Sequence, residues 1–489
     1  MRYPPPLAPL FHRVGLSMLL AASPLAAKAS DYSPDLQGNR PAVSDGSDDS
    51  PPALPPTDPT DTQASTVPAE SGSLIRRFRL QASEGDFNDR RNLLVPVYGN
   101  GDPSSIQRVF ADGSFKWKPD PKVTLNLSGR LGQEWTADRA YDPSSFTFGS
   151  LREASVSTRW SNSTVFDAGR IIERNGVAYG GNPTDFFRGF SVVNSATWDS
   201  DGDRLGVAMA RLTHIGEGMT WSLIYAPRLG DDLPHTDSDP RVHGYWDHTN
   251  WENRFFGKLT INATDNLSPE LLLYKDHLGT SAGFNLAVGI GKAITTYVEL
   301  AATNRYPLAT ESALFGRQVD NFPFQDSPIK PLDQARKIRF DGATGMVYSY
   351  STWLTVNAEY GYAGRALTRD QWNQWFAAGS KPGISQDQLA QIWYVRDYAS
   401  AVQEPLTRNR VLLRAGVKNA FGVFRLSWDA GIYSYLDPVS TAYGFSLNYS
   451  WIDSTSLSLT LKELRGAANT DIGSSQRTQG VQISLSRYF

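Results

Sequence analysis

Residues Tyr443-Gly444-Phe445-Ser446-Leu447-Asn448-Tyr449-Ser450-Trp451 place an apolar side chain at every second position. After a turn at 452–454 the alternation resumes at 455–463, and it returns in the last residues of the chain, 478–489. A period of two puts one set of side chains on each face of a strand. One face is small and hydroxylic and the other is apolar with aromatic residues at its rim, which is typical of a transmembrane β-barrel. A soluble sandwich would also alternate, but its outward face would carry more charge.

The last residue, Phe489, closes this amphipathic strand. A terminal phenylalanine after an amphipathic strand resembles the sorting signal of bacterial outer-membrane proteins. The resemblance implies that the barrel-assembly machinery recognises this end of the chain, and we expect the closing strand to pair with the first strand.

The N-terminal region indicates export. Two arginines and a histidine precede the apolar run 14–25, and Ala27-Lys28-Ala29 offers a cleavage site, so residues 1–29 are predicted to be a signal peptide. Residues 30–72 are rich in Pro, Asp, Ser and Thr and hold eight acidic residues against one basic residue. Such a segment has too little apolar surface to bury a core, so it is predicted to be a disordered periplasmic arm, with a spacer role or a periplasmic partner as the alternatives.

Alternation and turn residues predict an all-β fold, an antiparallel barrel over 73–489 with about eighteen strands and sixteen as the alternative. Short turns alternate with long loops along the whole chain, as outer-membrane barrels require, which places both termini in the periplasm. The predicted strands are 74–83, 106–118, 122–134, 148–160, 164–173, 204–214, 219–226, 250–263, 267–276, 279–290, 293–303, 336–349, 352–363, 406–419, 422–434, 440–451, 455–463 and 478–489.

One long loop, 364–405, contains helix signals. Two capping-box patterns, beginning at Thr368 and at Ser385, each precede aromatic and aliphatic residues at helical spacing. We expect two short helices that either lie over the mouth of the barrel or fold inward, and a surface cap without a gating role is the alternative.

A second loop follows a predicted strand and begins Gly169-Arg170-Ile171-Ile172-Glu173-Arg174-Asn175-Gly176. It continues Val177-Ala178-Tyr179-Gly180-Gly181-Asn182-Pro183-Thr184-Asp185, and its Asn-Gly, Gly-Gly and Asn-Pro pairs predict tight turns. The stretch resembles a segment of several families of large outer-membrane barrels, carried here by Arg170, Asn175, Gly176, Asn182, Pro183, Thr184 and Asp185. The opening strand, Phe78-Arg79-Leu80, and the loop Asp86–Arg90 resemble alginate-export-type porins, which implies eighteen strands.

Alternation also assigns charged residues to the lumen. The predicted solute path contains Arg130, Arg159, Arg339, Arg410, Arg414, Arg425 and Asp429. Arginines in a pore attract anions, whereas arginine–acid pairs that only stabilise the wall are the alternative. We expect Arg410, Arg414 and Arg425 to form one patch, with Arg425 following a two-residue turn.

Other chemistry has weaker signals. The mature chain has no cysteine, and the spacing of His243 and His248 matches no metal-ligand motif, so neither a metal nor a cofactor is predicted. The chain lacks the basic excess of a nucleic-acid-binding protein. We therefore predict a non-enzymatic channel in the outer membrane of a Gram-negative cell that passes solutes or an anionic saccharide. A non-conducting barrel that acts as an anchor or partner in envelope assembly or secretion is the alternative, and an outer-membrane hydrolase is the third.

Overall fold

Eighteen antiparallel strands form a closed barrel in the computed structural model, as the alternation predicts. The structure describes residues 73–89, 104–137, 144–191, 204–230, 234, 242–243, 246–264, 267–319, 333, 335–350, 353–452, 454–475 and 477–489. The predicted signal peptide and acidic arm lie outside the described residues and stay predictions.

The strands agree closely with the predicted ones. A nineteenth strand, β8, has two residues and pairs in parallel with β4, so it lies outside the antiparallel order. The strands are β1 (Ser73–Asp89), β2 (Ser105–Asp120), β3 (Val123–Ala137), β4 (Ser144–Arg159), β5 (Thr164–Ile171), β6 (Val207–Gly216), β7 (Met219–Ala226), β8 (Val242–His243), β9 (Arg254–Ile261), β10 (Glu270–Lys275), β11 (Thr280–Ile290), β12 (Ile294–Arg305), β13 (Lys337–Tyr350), β14 (Leu354–Ala363), β15 (Asn409–Val417), β16 (Leu426–Leu436), β17 (Val439–Ile452), β18 (Thr455–Gly466) and β19 (Arg477–Tyr488).

The barrel closes between its first and last strands. β1 pairs with β19 from Arg79 opposite Tyr488 onward, and the main chains of Phe78 and Phe489 exchange hydrogen bonds of 3.3 and 2.9 Å. The predicted pairing of the closing strand with the first is therefore confirmed. Closure removes the unpaired edges of the sheet. The start of β1 and the end of β19 lie at the end of the barrel that carries the short turns, which we call the short-turn end. We call the opposite end the long-loop end.

The two faces of the wall differ as the period of two predicts. Large apolar side chains cover the outside, and Leu273 and Phe340 remain 59 % and 63 % exposed there. Small polar side chains face inward and pair across strands, as the hydroxyls of Ser446 and Thr460 do at 3.3 Å. An apolar outer wall of this kind suits the hydrocarbon of a bilayer.

The described parts of the long loops contain four α-helices: α1 (Trp246–Thr249), α2 (Leu308–Val319), α3 (Arg369–Gly379) and α4 (Gln386–Ala401). Both predicted capping boxes are present, at Thr368 before α3 and at Ser385 before α4. Helix α2 was not predicted from the sequence. None of the helices in the described residues is long and apolar enough to cross a membrane.

The three longer helices pack together into a unit that we call the cap. Its core includes Trp372 and Trp375, each 1 % exposed, and Tyr398, together with Phe190 and Trp251 from other loops. The indole nitrogen of Trp375 donates to the carbonyl of Ile392 at 2.7 Å, which joins α3 to α4. The cap is therefore a packed subdomain at the long-loop end.

Candidate pore constriction

The loop formed by residues 172–191 leaves the wall inside the barrel and not at its rim. Strand β5 has eight residues, whereas its neighbour β4 has sixteen. Arg170 lies opposite Ala154, and β4 continues from there to Ser144 at the long-loop end. At about 3.3 Å per residue, β4 extends roughly 30 Å beyond the point where the loop departs. We call residues 172–191 the constriction loop.

Glycine and asparagine shape this loop. Gly176 has a φ of +80°, and a Cβ there would lie 2.5 Å from both Glu299 Oε2 and Asn182 Oδ1. Asn182 Oδ1 accepts hydrogen bonds from the main-chain nitrogen of Thr184 at 3.0 Å and from its hydroxyl at 3.1 Å, and Asn182 Nδ2 donates to the carbonyl of Asn175. Pro183 is buried beside them. The Asn-Gly and Asn-Pro-Thr motifs are thus explained by one closed turn.

Two glutamates on the far wall hold the loop by its backbone. The nitrogens of Val177 and Ala178 donate to Glu299 Oε1 on β12, the second at 2.7 Å. The nitrogens of Tyr179 and Gly180 donate to the carboxylate of Glu359 on β14, at 2.6 and 2.9 Å. Hydrogen bonds to a charged acceptor are worth about 1.5–3 kcal/mol each, so the four together fix this segment to the wall.

The carbonyl side of the same segment is held as well. Tyr433 donates its hydroxyl hydrogen to the carbonyl of Gly180 at 2.9 Å, and Arg410 Nη2 donates to the carbonyl of Gly181 at 2.8 Å. In the closed order of strands, β14 lies nearly opposite β5. The constriction loop therefore crosses the lumen.

The loop returns to the wall through a buried ion pair. Asp185 and Arg204 form two parallel contacts, one of them 2.9 Å between Oδ1 and Nη2, and Arg204 also donates to the carbonyl of Glu173 at 2.8 Å. The carboxylate of Glu173 contacts Arg211 at 2.8 Å. Arg170, which is fully buried, donates to the carbonyl of Gly206 at 3.0 Å. Both ends of the loop are consequently fixed to β5 and β6.

The loop divides the lumen into two unequal environments. On one side, Phe187 (1 % exposed) packs with apolar residues that face inward from β6, β7, β9 and β10, namely Val207, Met209, Ile224, Ala226, Phe256, Leu272 and Tyr274. We call this side the packed half. Burying a side chain such as Phe187 is worth about 1.5–3 kcal/mol, so apolar contacts close this half.

The other side, the polar half, is lined by β17–β19 and β1–β4. Its inward-facing residues include Ser446, Ser458, Ser484, Asn126 and Ser128, and all five are partly exposed. Buried apolar side chains occur here as well, namely Phe87, Ile106, Phe110 and Phe148, but they belong to neither of the two apolar clusters found among the described residues. The polar half thus presents partly exposed hydroxyl and amide side chains where the packed half presents an apolar cluster.

Basic residues outnumber acidic ones on the β1–β4 side of the polar half. Asp112 is shared by two arginines, with Arg79 Nε at 2.9 Å and Arg130 Nε at 2.6 Å. Arg77, Lys116 and Arg159 have no ion pair within the described part of the chain. One wall of the polar half therefore carries a positive excess.

The structure distributes the other predicted path residues differently from the expectation. Arg414 Nε contacts Asp429 at 2.7 Å, and Arg339 contacts Asp333 at 2.9 Å near the long-loop end. Arg410 is buried behind the constriction loop. The predicted patch is wrong for Arg425, which lies before β16 with a φ of +68° and stacks on Phe424, 5.1 Å from the ring. The β15–β16 connection spans 418–425 in place of the predicted two residues, and Asn419 and Phe421 in it also have positive φ.

Sequence reasoning missed the residues that hold the loop. Glu299 and Glu359 contact loop residues 122 and 180 positions away in sequence, and only their being inward-facing acids among small wall residues could have indicated them, whereas Arg204 lies only 19 residues after Asp185. Arg174 was also missed: it is the exposed cation of the loop and has no ion pair among the described residues.

Three residues whose side chains can bind metal ions lie close together near the long-loop end, namely Glu252, Asp276 and His277. Asp276 is already paired with Arg305 and accepts from the nitrogens of Leu278 and Gly279, both at 2.9 Å. His277 Nδ1 contacts the Glu252 carboxylate. Since a guanidinium occupies the position of a cation, these residues fit an ion-pair network better than a metal.

Ion pairs also attach the cap. Arg365 is buried between Glu311 on α2, at 2.7 Å, and Glu404 after α4. Burial alone would raise the pKa of the Glu311 carboxyl, but Arg365, Arg305 and the hydroxyl of Tyr398 together hold that pKa below its usual value. Phe190, at the end of the constriction loop, donates its main-chain hydrogen to the carbonyl of Ala401 at 2.7 Å. The cap and the loop are thus joined.

Comparison with known proteins supports the fold. No family model matches the chain, and no curated protein matches it. Among solved structures, OccK5 (OpdH) of Pseudomonas aeruginosa aligns with a TM-score of 0.50 and 12% identity, covering 85% of this chain and 98% of that one. OccK8 (OprE) of the same species gives 0.49, 12%, 85% and 98%, and OccAB1 of Acinetobacter baumannii gives 0.46, 12%, 85% and 96%. The match to OccK5 is to the fold.

Proposed function

We propose that this protein is an outer-membrane channel that passes solutes through the polar half of its lumen and favours anions. The observation that carries the proposal is the division of the lumen: the constriction loop and the packed half close one side, while the other side is lined with hydroxyls and a surplus of cations. Fixed positive charges in a narrow aqueous path raise the local concentration of anions.

A porin-like channel is also supported by the structural likeness to OccK5, an outer-membrane porin of the OprD/Occ type. Porins are not enzymes, and we propose no enzymatic activity. An outer-membrane location follows from the same proposal, with both termini in the periplasm, lipid around the wall, the barrel-assembly machinery acting on the Phe489 end and a periplasmic partner for the acidic arm.

The finer proposal is that the cargo is an anionic saccharide, as the resemblance to alginate-export-type porins implies. Ser, Thr and Asn side chains can exchange hydrogen bonds with sugar hydroxyls while the arginines and Lys116 attract carboxylates or phosphates. This part of the proposal rests on the chemistry of the polar half and not on a family match.

The experiment is ion selectivity of the purified full chain in planar bilayers. We expect the zero-current potential in a KCl gradient to indicate anion preference, and Arg77→Glu with Lys116→Glu to shift it toward cations. These two residues are chosen because neither has an ion pair with any residue that the structure describes, so their replacement leaves no acid there unpaired. Arg76→Glu is the matched control, because Arg76 lies on the outward face of β1 opposite Phe115 and also has no ion pair among the described residues; it should leave the potential unchanged.

Two results would contradict the proposal. A folded double variant with the selectivity of the parent protein would exclude the anion path. A folded barrel that does not conduct would support the alternative of an anchor or partner in envelope assembly.

A further inference from the structure

The connection between β15 and β16 differs from the other short turns. It spans 418–425, and both of its phenylalanines face solvent: Phe421 is 84 % exposed and Phe424 is 70 % exposed. The turns around Glu217 and Lys292, at the same end, have three residues or fewer and carry no aromatic side chain. An exposed apolar pair of this size requires a physical reason.

The exposure is imposed by the backbone. Asn419, Phe421 and Arg425 have φ values of +50°, +55° and +68°, which side chains rarely adopt. Asn419 Oδ1 accepts from the nitrogen of Arg425 at 3.0 Å, and Ala420 is buried at 1 % exposure. Because strained positions persist only where the surrounding contacts maintain them, the turn is built to present Phe421 outward.

The apolar tip continues the outer wall. The neighbouring connections add exposed aromatic residues, with Tyr350 and Trp353 on one side and Trp451 on the other, at 52 %, 43 % and 71 %. The nitrogen of Lys418 donates to the carbonyl of Trp353 at 2.7 Å, which joins two of these connections. The patch is therefore continuous with the surface that faces hydrocarbon.

Basic residues flank the tip. Lys418 is exposed on one side of the phenylalanines and Arg425 lies on the other, over the ring of Phe424. Aromatic rings bordered by Lys and Arg suit the boundary between acyl chains and phosphates, where the rings contact hydrocarbon and the cations contact headgroups.

We propose that the 418–425 turn inserts Phe421 and Phe424 into the interfacial layer of the bilayer at the short-turn end, with Lys418 and Arg425 at the phospholipid phosphates. The turn then anchors the barrel at this depth. The proposal concerns the membrane contact alone and does not depend on whether the lumen conducts.

The absence of native cysteine allows a direct test with the full chain. Phe421→Cys is labelled with an environment-sensitive fluorophore in vesicles of phosphatidylethanolamine and phosphatidylglycerol, and Glu217→Cys on a polar turn at the same end is the matched control. We expect a blue-shifted emission for position 421 that is quenched several-fold more by spin-labelled acyl chains than by aqueous iodide. Position 217 should show the reverse.

Equal emission and equal iodide quenching at both positions in the folded barrel would overturn the proposal and would favour a protein partner for the turn. The headgroup contact is tested separately with Lys418→Glu and Arg425→Glu in the labelled chain. Their effect on quenching should be larger in vesicles with phosphatidylglycerol than in neutral vesicles, and an equal effect in both would exclude the phosphate contact.

Discussion

Gly176 shows how one position controls the constriction loop. Its φ of +80° is costly for any other residue, and the space that a Cβ would need is taken by Glu299 and Asn182. Gly218 has nearly the same φ, +78°, but has nothing within 4 Å of the Cβ position. Substitutions at these two glycines therefore distinguish the cost of backbone strain, which both share, from the effect of displacing the loop, which only Gly176 has.

We predict that Gly218→Ala costs about 1–3 kcal/mol of stability and leaves conductance unchanged. Gly176→Ala should cost more and should also increase single-channel conductance, because the added methyl group pushes the loop from Glu299. Thermal unfolding and planar-bilayer recordings measure the two quantities. Equal conductance for the two variants would show that the loop does not limit the pore.

At the scale of single residues, the sequence predicted the turns of the loop better than its partners. Asn-Gly and Asn-Pro are local signals, so Asn175, Gly176 and Asn182 could be placed in a tight turn from their neighbours alone. Glu359 contacts the loop across 180 residues of sequence, and its neighbours in sequence do not indicate that contact. Arg425 was misplaced because alternation extends both strands to a two-residue turn at 420–421, whereas β15 ends at Val417 and β16 begins at Leu426.

Two glutamates form the latch between the loop and strands β12 and β14. Replacing a carboxylate with an amide removes the charge and leaves one acceptor oxygen in place of two. We predict that Glu299→Gln with Glu359→Gln weakens the latch by about 1–3 kcal/mol for each hydrogen bond lost, while the barrel still folds. Open-channel current noise should increase as the loop gains motion.

The control for the latch is Glu270→Gln, since Glu270 faces the lumen and bonds to Asn285 at 3.0 Å without contacting the loop. Current noise that is the same in the latch variant and in this control would mean that the loop stays in place without the two carboxylates.

The cap is predicted to loosen in acid. The folded-state pKa of Glu311 lies below the usual 4.5, so its ion pair with Arg365 stabilises the cap above pH 4.5 and is lost as the pH falls through the lowered pKa. Hydrogen exchange of residues 369–401, corrected for the intrinsic rate, should accelerate in that range. At pH 7, Glu311→Gln should already lower the free energy of opening of the cap, by at most about 3–5 kcal/mol. Exchange in this variant should no longer depend on acid in the same way.

A second carboxyl in the same region acts in the opposite direction. Burial raises the pKa of Asp471, and Arg396 and Thr407 offset this only in part. Its ionised form therefore costs stability above the raised pKa, and this cost disappears as the pH falls. Asp471→Asn should consequently stabilise the cap at pH 7, and a destabilised cap at that pH would contradict the assignment.

At the scale of elements, the strands and the helices α3 and α4 were predicted because their signals are periodic and local. α2 was not, since it lies in a loop without a capping pattern and its apolar residues, Leu308 and Phe315, pack against α4 and not against the wall. Its helix depends on tertiary contacts that the sequence does not display.

For the whole molecule, alternation identifies which residues face inward but not which part of the lumen is filled. That outcome depends on where the constriction loop crosses, and the crossing is set by Glu299, Glu359 and Arg204 together. Inward-facing residues such as Val207 and Ser458 therefore read alike as lumen positions in the sequence, although one lies in the packed half and the other in the polar half.

Cysteine accessibility tests this division of the lumen, because any cysteine introduced into the chain is the only one. Ser446→Cys and Ser458→Cys in the polar half should react with a charged thiol reagent from the aqueous phase, and the added charge should reduce conductance. Val207→Cys and Ala226→Cys, which are 2 % and 0 % exposed, should not react in the folded barrel because Phe187 and its neighbours exclude water. Each variant is compared with its unfolded form, where all four thiols must react. Rapid modification at Val207 or Ala226 in the folded barrel would show that the packed half is open, and the proposed path would then have to be placed on both sides of the loop.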